Sequence, residues 1–217
     1  MDETTLHDWE ERIASHVRTS GETDVAHDVS HVERVVRNAR RIGGREHADL
    51  AVVVPAAWLH DIVTVRKDSP DRAKASTFAA AEAGRFLRSI GYPEQLIDPI
   101  AHAVEAHSFS ARIEPRTLEA KVVQDADRLE ALGAIGIARC FATSGAMGRP
   151  LYSTEDPFAM SRGLDDRQYA LDHFVLKLFR VAESLRTEAG QAEGRRRSDF
   201  LHAYWAELRA EIEDAEA

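Results

Sequence analysis

The segment AVVVPAAWLHDIV, residues 51–63, places the strongest constraint on how this chain can fold. It is apolar nearly all the way round a helix, so we expect it to lie inside the protein. It nevertheless contains His60 and Asp61 side by side. An unpaired buried carboxylate is very unfavourable, and the usual remedies are a salt bridge, a proton or a metal ion. Adjacent helical residues point about 100° apart, so the two side chains can share one ion only at the helix flank, with further ligands from other helices.

The fold class follows from the apolar periodicity along the rest of the chain. It predicts one helix after another, with no run of alternating β-branched residues. We therefore predict an all-α fold in a single domain of residues 1–217, with a helical core over 25–140 and additional C-terminal helices over 166–214. Residues 143–165 form a long irregular loop, and a loop of that length is usually a functional lid or a disordered segment.

Glycine and proline mark the expected joints between helices. Gly43-Gly44 closes the second helix, Gly91 to Pro93 separates the fourth from the fifth, and Gly190 to Gly194 precedes the last. The predicted helices span residues 3–19, 26–43, 48–65, 71–90, 94–107, 117–130, 133–142, 166–188 and 194–214.

Composition excludes several kinds of partner and site. Twenty-eight Lys and Arg against 37 Asp and Glu give a formal net charge of −9, so we expect no binding to nucleic-acid duplexes. The single cysteine, Cys140, can form neither an internal disulfide nor a thiolate cluster, so any metal must be held by His, Asp and Glu. The 10 histidines are roughly twice the number we expect, and histidine is a frequent metal ligand.

The sequence gives no sign of a membrane partner. The first residues, MDETTLHDWEERI, lack the basic and apolar regions of a signal peptide. The longest apolar run is about ten residues, Leu50 to Leu59, which is too short to span a bilayer. We therefore expect a cytoplasmic protein.

Two helices offer histidines to the buried His-Asp pair. His31 lies at the edge of the apolar stripe of the second helix, and His27 lies four residues earlier on the same side but further toward solvent. On the fifth helix His107 lies in line with the apolar residues, whereas His102 points to the opposite side. Taken alone, each of these is more often an ordinary polar or core histidine than a ligand.

Carboxylates come from the segment KVVQDADRLEALGAIG. Asp125, Asp127 and Glu130 border its apolar face. On a helical wheel Asp125 lies at one edge of the apolar stripe and Asp127 beyond the other, so the geometry alone does not choose between them.

The order of these motifs resembles the HD-domain superfamily of metal-dependent phosphohydrolases. The resemblance rests on a histidine in a helix, then His-Asp, then Ala-Asp-Arg-Leu. It implies an HD-domain helical bundle in which His31, His60, Asp61 and Asp127 are the metal ligands, and it thus selects Asp127 over Asp125. The segment EAKVVQDADRLEALGAIGIAR, followed by HFVLKL, resembles sequences of the stand-alone bacterial branch of this superfamily, some members of which act on nucleotides.

The resemblance implies one divalent ion as cofactor. Two imidazoles and two carboxylates suit Mn²⁺, which we expect first, with Ni²⁺, Co²⁺, Fe²⁺ or Zn²⁺ as alternatives. Metal-bound hydroxide would attack the phosphoryl group. The substrate expected is a nucleoside or deoxynucleoside triphosphate, with release of pyrophosphate or phosphate. The alternatives are a phosphodiesterase acting on a cyclic nucleotide or another phosphoester, and a non-catalytic sensor module stabilised by its metal.

Two catalytic residues are expected beside the metal ligands. His107 is the candidate phosphate donor or general acid, because its imidazole points inward and titrates near neutral pH; a second metal is the alternative role. Nucleotidase-like relatives tend to carry a Glu soon after the His-Asp pair, whereas Ile62, Val63 and Thr64 follow it here. The base is therefore either the hydroxide itself or Glu130, one turn after Asp127.

The substrate is expected to be a small phosphorylated molecule, which needs cations. The preferred phosphate contacts are Lys74 and Arg139. Lys74 follows the polar loop after the helix of His60 and Asp61, and Arg139 lies on the helix after Ala-Asp-Arg-Leu. A surface role explains each of them equally well. Exposed apolar stripes on the terminal helices permit a homodimer. The other basic residues near the motifs are Lys67, Lys121, Arg128 and Lys177.

Overall fold

The protein is helical throughout the part of the chain that the structure describes. A computed structural model describes residues 1–20, 29–65, 69, 71–108 and 111–214. No strand occurs within these ranges, and the all-α prediction is confirmed. The helices are α1 (Glu3–Ser20), α2 (Val29–Glu46), α3 (Leu50–Leu59), α4 (Ala75–Ile90), α5 (Glu94–Ala106), α6 (Leu118–Arg128), α7 (Gly133–Ala146), α8 (Phe179–Val181) and α9 (Glu188–Asp214). Short 3₁₀ turns span Arg72–Lys74, Leu129–Ala131 and Ala182–Ser184, and a π-helix spans Phe174–Leu178. Among the described residues, no helix combines the length and apolar character needed to cross a bilayer.

The described residues fall into two compact units. Unit 1 comprises Met1–Asp127 and Arg186–Gly190, and unit 2 comprises Arg128–Leu185 and Gln191–Ala217. A single domain over residues 1–217 stays a prediction.

Helix α3 lies at the centre of unit 1. It packs against α1, α2, α4 and α5, and residues 51–59 are all buried. Asp49 caps its first turn, because the side chain accepts a hydrogen bond from the backbone N–H of Ala51 at 2.9 Å. The apolar residues thus form a helix that runs through the core, and His60 follows where this helix ends.

Pro55 interrupts the hydrogen bonding of α3, and Tyr92 compensates. Proline has no backbone N–H, so the carbonyl of Ala51, four residues earlier, loses its helical donor. The buried hydroxyl of Tyr92 donates to this carbonyl at 2.6 Å instead. Burial, followed by the charge of Asp49, raises the pKa of Tyr92, so the donor keeps its proton.

Two of the predicted helix boundaries at glycines are wrong, because Gly43-Gly44 does not close the second helix and Gly190 to Gly194 does not precede the last. Helix α2 runs through Gly43 and Gly44 to Glu46, and ends at His47, whose φ of 57° is left-handed. A Cβ on Gly43 would lie 3.0 Å from Leu50 Cδ2, so this glycine permits close packing inside unit 1. Helix α9 begins at Glu188 rather than at residue 194 and therefore includes Gly190.

Residues 166–188 do not form the single helix that periodicity predicts. The backbone N–H groups of Ala170 and Leu171 donate to the carbonyls of Pro150 and Leu151, at 3.1 and 2.9 Å. These donors are therefore unavailable to a helix, and helical structure begins only after Leu171, with the π-helix from Phe174.

The predicted loop begins four residues later than expected and has internal order. Helix α7 extends to Ala146. Within the loop, the carboxylate of Asp156 accepts hydrogen bonds from several backbone N–H groups, which hold the pKa of Asp156 well below its usual range. Arg162 makes a bidentate ion pair with the buried Asp172, at 2.6 and 2.8 Å. Hydrogen bonds within the loop and the ion pair with Asp172 thus hold its conformation.

We predict that Tyr92→Phe destabilises the protein although it removes only one oxygen. The buried carbonyl of Ala51 would lose its donor, which costs roughly 1–3 kcal/mol of the free energy of unfolding. Urea denaturation measures this loss. Tyr152→Phe is the matched control, because Tyr152 is only partly buried, and we expect a change within about 0.5 kcal/mol there. Equal effects in the two variants would contradict the role given to Tyr92.

Candidate metal centre

His60 projects from the end of α3 with one nitrogen directed at the candidate site. Its ring is fully buried, and Nδ1 lies 2.8 Å from the carbonyl oxygen of Ala57. A carbonyl can only accept, so Nδ1 carries the proton and Nε2 keeps its lone pair. This arrangement fixes the tautomer in the way that metal-binding histidines require.

His31, in the first turn of α2, approaches the same point. Its ring is buried at 5.5 Å from that of His60, measured between ring centroids. Its Nε2 lies 3.6 Å from Asp127 Oδ1 and 4.0 Å from Asp61 Oδ2. The sequence places His31 at the edge of the core, and the candidate site lies at that same edge.

Two carboxylates complete the group. Asp61 Oδ2 lies 3.5 Å from His60 Nε2, and Asp127 Oδ1 lies 3.9 Å from the same atom. Candidate ligand atoms of His31, His60 and Asp127 all lie within 4.8 Å of one another. The structure thus brings together the four residues that the resemblance named as ligands.

The spacing suits a metal ion. Ligands about 2.1 Å from an ion are separated by roughly 3.0–4.2 Å, and the nitrogen–oxygen distances of 3.5 to 4.0 Å lie in that range. Nε2 of His60 is buried and has no hydrogen-bond partner among the described residues. A buried polar atom without a partner is costly, and a cation would satisfy it.

The charges also favour a cation. Burial lowers the pKa of His60, although the charge of Asp61 opposes the shift, and burial thus favours the neutral imidazole that can act as a ligand. Burial alone would raise the pKa of Asp127, but the neighbouring His60, His107 and His31 outweigh it and lower the pKa, so the carboxylate stays charged.

His107 lies on the other side of Asp61. It follows the last residue of α5, and its Nδ1 lies 2.6 Å from the carbonyl oxygen of Val104. Its Nε2 lies 3.6 Å from Asp61 Oδ1. Burial disfavours the charged imidazole, but the interaction with the nearby carboxylate of Asp61 outweighs this, so the pKa of His107 is raised.

The other histidines do not join the group in the described part of the chain. His27 lies outside the described residues. His102 accepts a hydrogen bond from the backbone N–H of Arg116 at 3.0 Å. Burial, followed by the charge of Arg116, lowers the pKa of His102, in keeping with a neutral acceptor.

The structure separates the roles of the two aspartates that helical geometry left open. Asp125 is fully buried and accepts hydrogen bonds from the backbone N–H of Arg186 and from the N–H and hydroxyl of Thr187, at 2.7 to 3.0 Å. A Cβ on Gly190 would lie 2.4 Å from Asp125 Oδ2, so only glycine fits beside this carboxylate. Asp125 thus anchors the chain that enters α9, whereas Asp127 faces the histidines.

The remaining predicted residues lie in other surroundings. Glu130 is buried in unit 2, where its carboxylate oxygens lie 3.8 Å from Arg139 Nη1 and 4.0 Å from Arg197 Nη1. Lys74 is exposed and donates to Asp71 Oδ1 at 3.0 Å. Lys67 lies outside the described residues. The catalytic and substrate-binding roles given to these residues and to His107 stay predictions.

Gln124 is a residue near the centre that sequence reasoning missed. It is buried on α6, and its Nε2 donates to the carbonyl of Ala106, the residue before His107, at 2.7 Å. This bond ties α6, which carries Asp127, to the end of α5, which carries His107. The sequence feature that could have identified Gln124 is an amide side chain within the apolar stripe of α6.

Comparison with known proteins identifies relatives over nearly the whole chain. The family model of the HD domain matches residues 28–132 of this sequence. The chain is 35% identical over 195 residues to the uncharacterized protein YpgQ of Bacillus subtilis, which covers 88% of this chain and 87% of that one. The crystal structure of YpgQ in complex with ADP is 32% identical with a TM-score of 0.76, covering 98% of this chain and 100% of that chain. The crystal structure of an HD-superfamily hydrolase from Bacillus thuringiensis is 28% identical with a TM-score of 0.74, and the alignment covers 95% of this chain and 97% of that chain.

Paired substitutions on α6 test the division of roles. We predict that Asp127→Asn loses bound metal but, when metal is removed from both proteins, melts near the wild-type temperature, because its side chain faces the candidate ion. Asp125→Asn should retain the metal, but its free energy of unfolding should fall by about 2 kcal/mol, since an amide cannot accept all the hydrogen bonds of the carboxylate. For a chain of this size that is a fall of about 4–8 °C in Tm. Metal analysis after dialysis and thermal unfolding measure the two effects, and the reverse pattern would assign the ligand to Asp125.

Proposed function

The chain belongs to the HD-domain superfamily, and on that premise we propose that it is a metal-dependent phosphohydrolase. The proposed substrate is a nucleoside or deoxynucleoside triphosphate, and the products include pyrophosphate or phosphate. The observation that supports this most directly is the buried Nε2 of His60, which faces two carboxylates and has no hydrogen-bond partner among the described residues. A histidine that served only the core would have its second nitrogen satisfied.

The proposed ligands are His31, His60, Asp61 and Asp127. A divalent ion held there, with Mn²⁺ as the first candidate, would polarise a phosphoryl oxygen and lower the pKa of a bound water. Asp61 links this centre to His107, because its Oδ2 faces the ligand histidines while its Oδ1 faces His107. The retention of all four ligands argues against a purely structural HD module, in which a ligand is usually lost.

His107 is the proposed proton donor or hydrogen-bond donor to the substrate. Its Nδ1–H is held by Val104, so Nε2 is the nitrogen that can act on a ligand. The bond from Gln124 to Ala106 and the bond to Val104 together restrict this ring to one orientation. Such restriction is what an acid needs to transfer a proton in a defined direction.

The choice of a nucleotide is supported by the relative. YpgQ was crystallised with ADP, a nucleoside diphosphate, and its structure aligns with 98% of this chain. We propose that Lys74 and Arg139 contribute charge toward the substrate phosphates, and that Glu130 assists the attack on phosphorus. At present each of the three is paired with an ion of opposite charge, so each would have to change partner on substrate binding.

Product analysis of the full chain tests this proposal. The purified protein is incubated with Mn²⁺ and a panel of ribo- and deoxynucleoside triphosphates, with and without chelator, and the products are separated by chromatography. We expect chelator-sensitive turnover, giving a monophosphate with pyrophosphate, or a diphosphate with phosphate. Turnover of a cyclic nucleotide alone would instead identify a phosphodiesterase.

Two histidine variants provide the control. His60→Ala should lower the rate at least about a hundredfold, because loss of even an outer partner of a metal ligand costs 10–100-fold, while the far-ultraviolet spectrum stays helical. His102→Gln keeps a hydrogen-bond acceptor for Arg116 and should stay within about twofold of wild type. Full activity in His60→Ala would exclude the proposed centre.

A further inference from the structure

Helix α4 begins with a buried serine whose hydroxyl has no hydrogen-bond partner among the described residues. Ser76, in the first turn, is 2% exposed, and its Oγ is buried. A serine inside a helix can donate to a carbonyl of the preceding turn, as Ser89 near the other end of α4 does with Phe86 at 2.7 Å. A buried hydroxyl without a partner costs stability, so we looked for an acceptor outside the helix.

The first turn of α4 lies beside the helix ends that carry the histidines of the candidate centre. The hydroxyl of Thr77 donates to Glu105 Oε1 at 2.9 Å, which joins this turn to the last turn of α5. His107 follows Glu105 by two residues, and its ring lies 5.0 Å from that of His60, measured between centroids. The start of α4 and the ends of α3 and α5 therefore meet within unit 1.

Helix geometry directs the hydroxyl of Ser76 toward this meeting point. Ser76 shares the buried face of α4 with Ala79 and Ala83, and α4 packs against α3 and α5. Side chains of a helix lean toward its N-terminus. A buried hydroxyl in the first turn is therefore directed toward the N-terminal end of α4, where α3 and α5 end.

The same end of α4 favours an anion. The backbone N–H groups of a first turn give it a partial positive charge, and phosphate groups bind at such ends. Lys74 stands at the N-cap position and makes no capping hydrogen bond, because an ammonium has no acceptor atom. Its side chain is exposed and pairs with Asp71 at 3.0 Å.

We propose that Ser76 and the N-terminus of α4 bind a phosphate group of the substrate, with the hydroxyl of Ser76 donating to a phosphate oxygen. The phosphate would supply the acceptor that the helix does not. This inference rests on the proposed function, because it takes the ligand to carry phosphate, and it adds a residue that holds this group. The phosphate belongs either to free pyrophosphate or to a nucleotide.

Calorimetric titration and thermal unfolding of Ser76→Ala test the site together. Pyrophosphate and, in a separate arm, ADP are titrated into the full chain with chelator present, so that no divalent ion contributes. We expect wild type to bind at least one of them saturably. Ser76→Ala should bind it about tenfold more weakly, because a hydrogen bond to a charged group is lost. Without ligand the variant should unfold at or above the wild-type temperature, since the substitution breaks no hydrogen bond within the described chain.

Ser89→Ala is the matched control, because it removes a hydroxyl from an exposed position of the same helix. It should bind both ligands like wild type. Three results would overturn the inference: no saturable binding by wild type, equal binding by wild type and Ser76→Ala, or equal weakening in the two serine variants. Unfolding of Ser76→Ala clearly below the wild-type temperature would give the hydroxyl a structural role instead and would also overturn it.

The chelator keeps this test separate from the test of hydrolysis. If wild type hydrolyses no triphosphate but Ser76→Ala still weakens binding, the hydrolase proposal fails and the phosphate site stands. If wild type shows chelator-sensitive hydrolysis but Ser76→Ala binds as well as wild type, the phosphate site fails and the hydrolase proposal stands.

Discussion

The structure of unit 1 depends on the complete burial of a helix that ends in a histidine. Helix α3 has apolar residues on every side, so four other helices can pack against it. Its last turn then delivers His60 into the core with Nδ1–H satisfied by Ala57 and Nε2 facing two carboxylates. The cost of leaving such an atom unpaired makes a bound cation the simplest explanation of the site.

Helix α6 shows how neighbouring carboxylates acquire different tasks from their surroundings. Asp125 is held by the backbone of Arg186 and Thr187 and fixes the entry to α9. Asp127, two residues later, points across the helix toward His31 and His60. Gln124 adds the link to α5, so one helix positions the candidate ligand Asp127, the end of α5 before His107 and the segment that enters α9.

The sequence was sufficient for the fold class and for the residues that gather around His60, because both follow from periodicity and from a recognisable order of motifs. It was insufficient where tertiary contacts decide. The choice between Asp125 and Asp127 depends on Thr187, which is 62 residues away from Asp125. The helix predicted at 166 is prevented by the pairing of Ala170 and Leu171 with residues 150 and 151, a contact that has no local pattern. Glycines at 43 and 190 suggested breaks, yet they permit close packing within helices.

X-ray absorption spectroscopy on the full chain loaded with one equivalent of Mn²⁺ tests whether His31 and His60 bind the ion. We expect a single ion whose inner shell contains two imidazole nitrogens, from His31 and His60, with carboxylate oxygens completing the protein ligands. His60→Ala should remove one imidazole from the spectrum or abolish binding. An inner shell made only of oxygen atoms, unchanged in that variant, would show that the ion does not bind at these histidines.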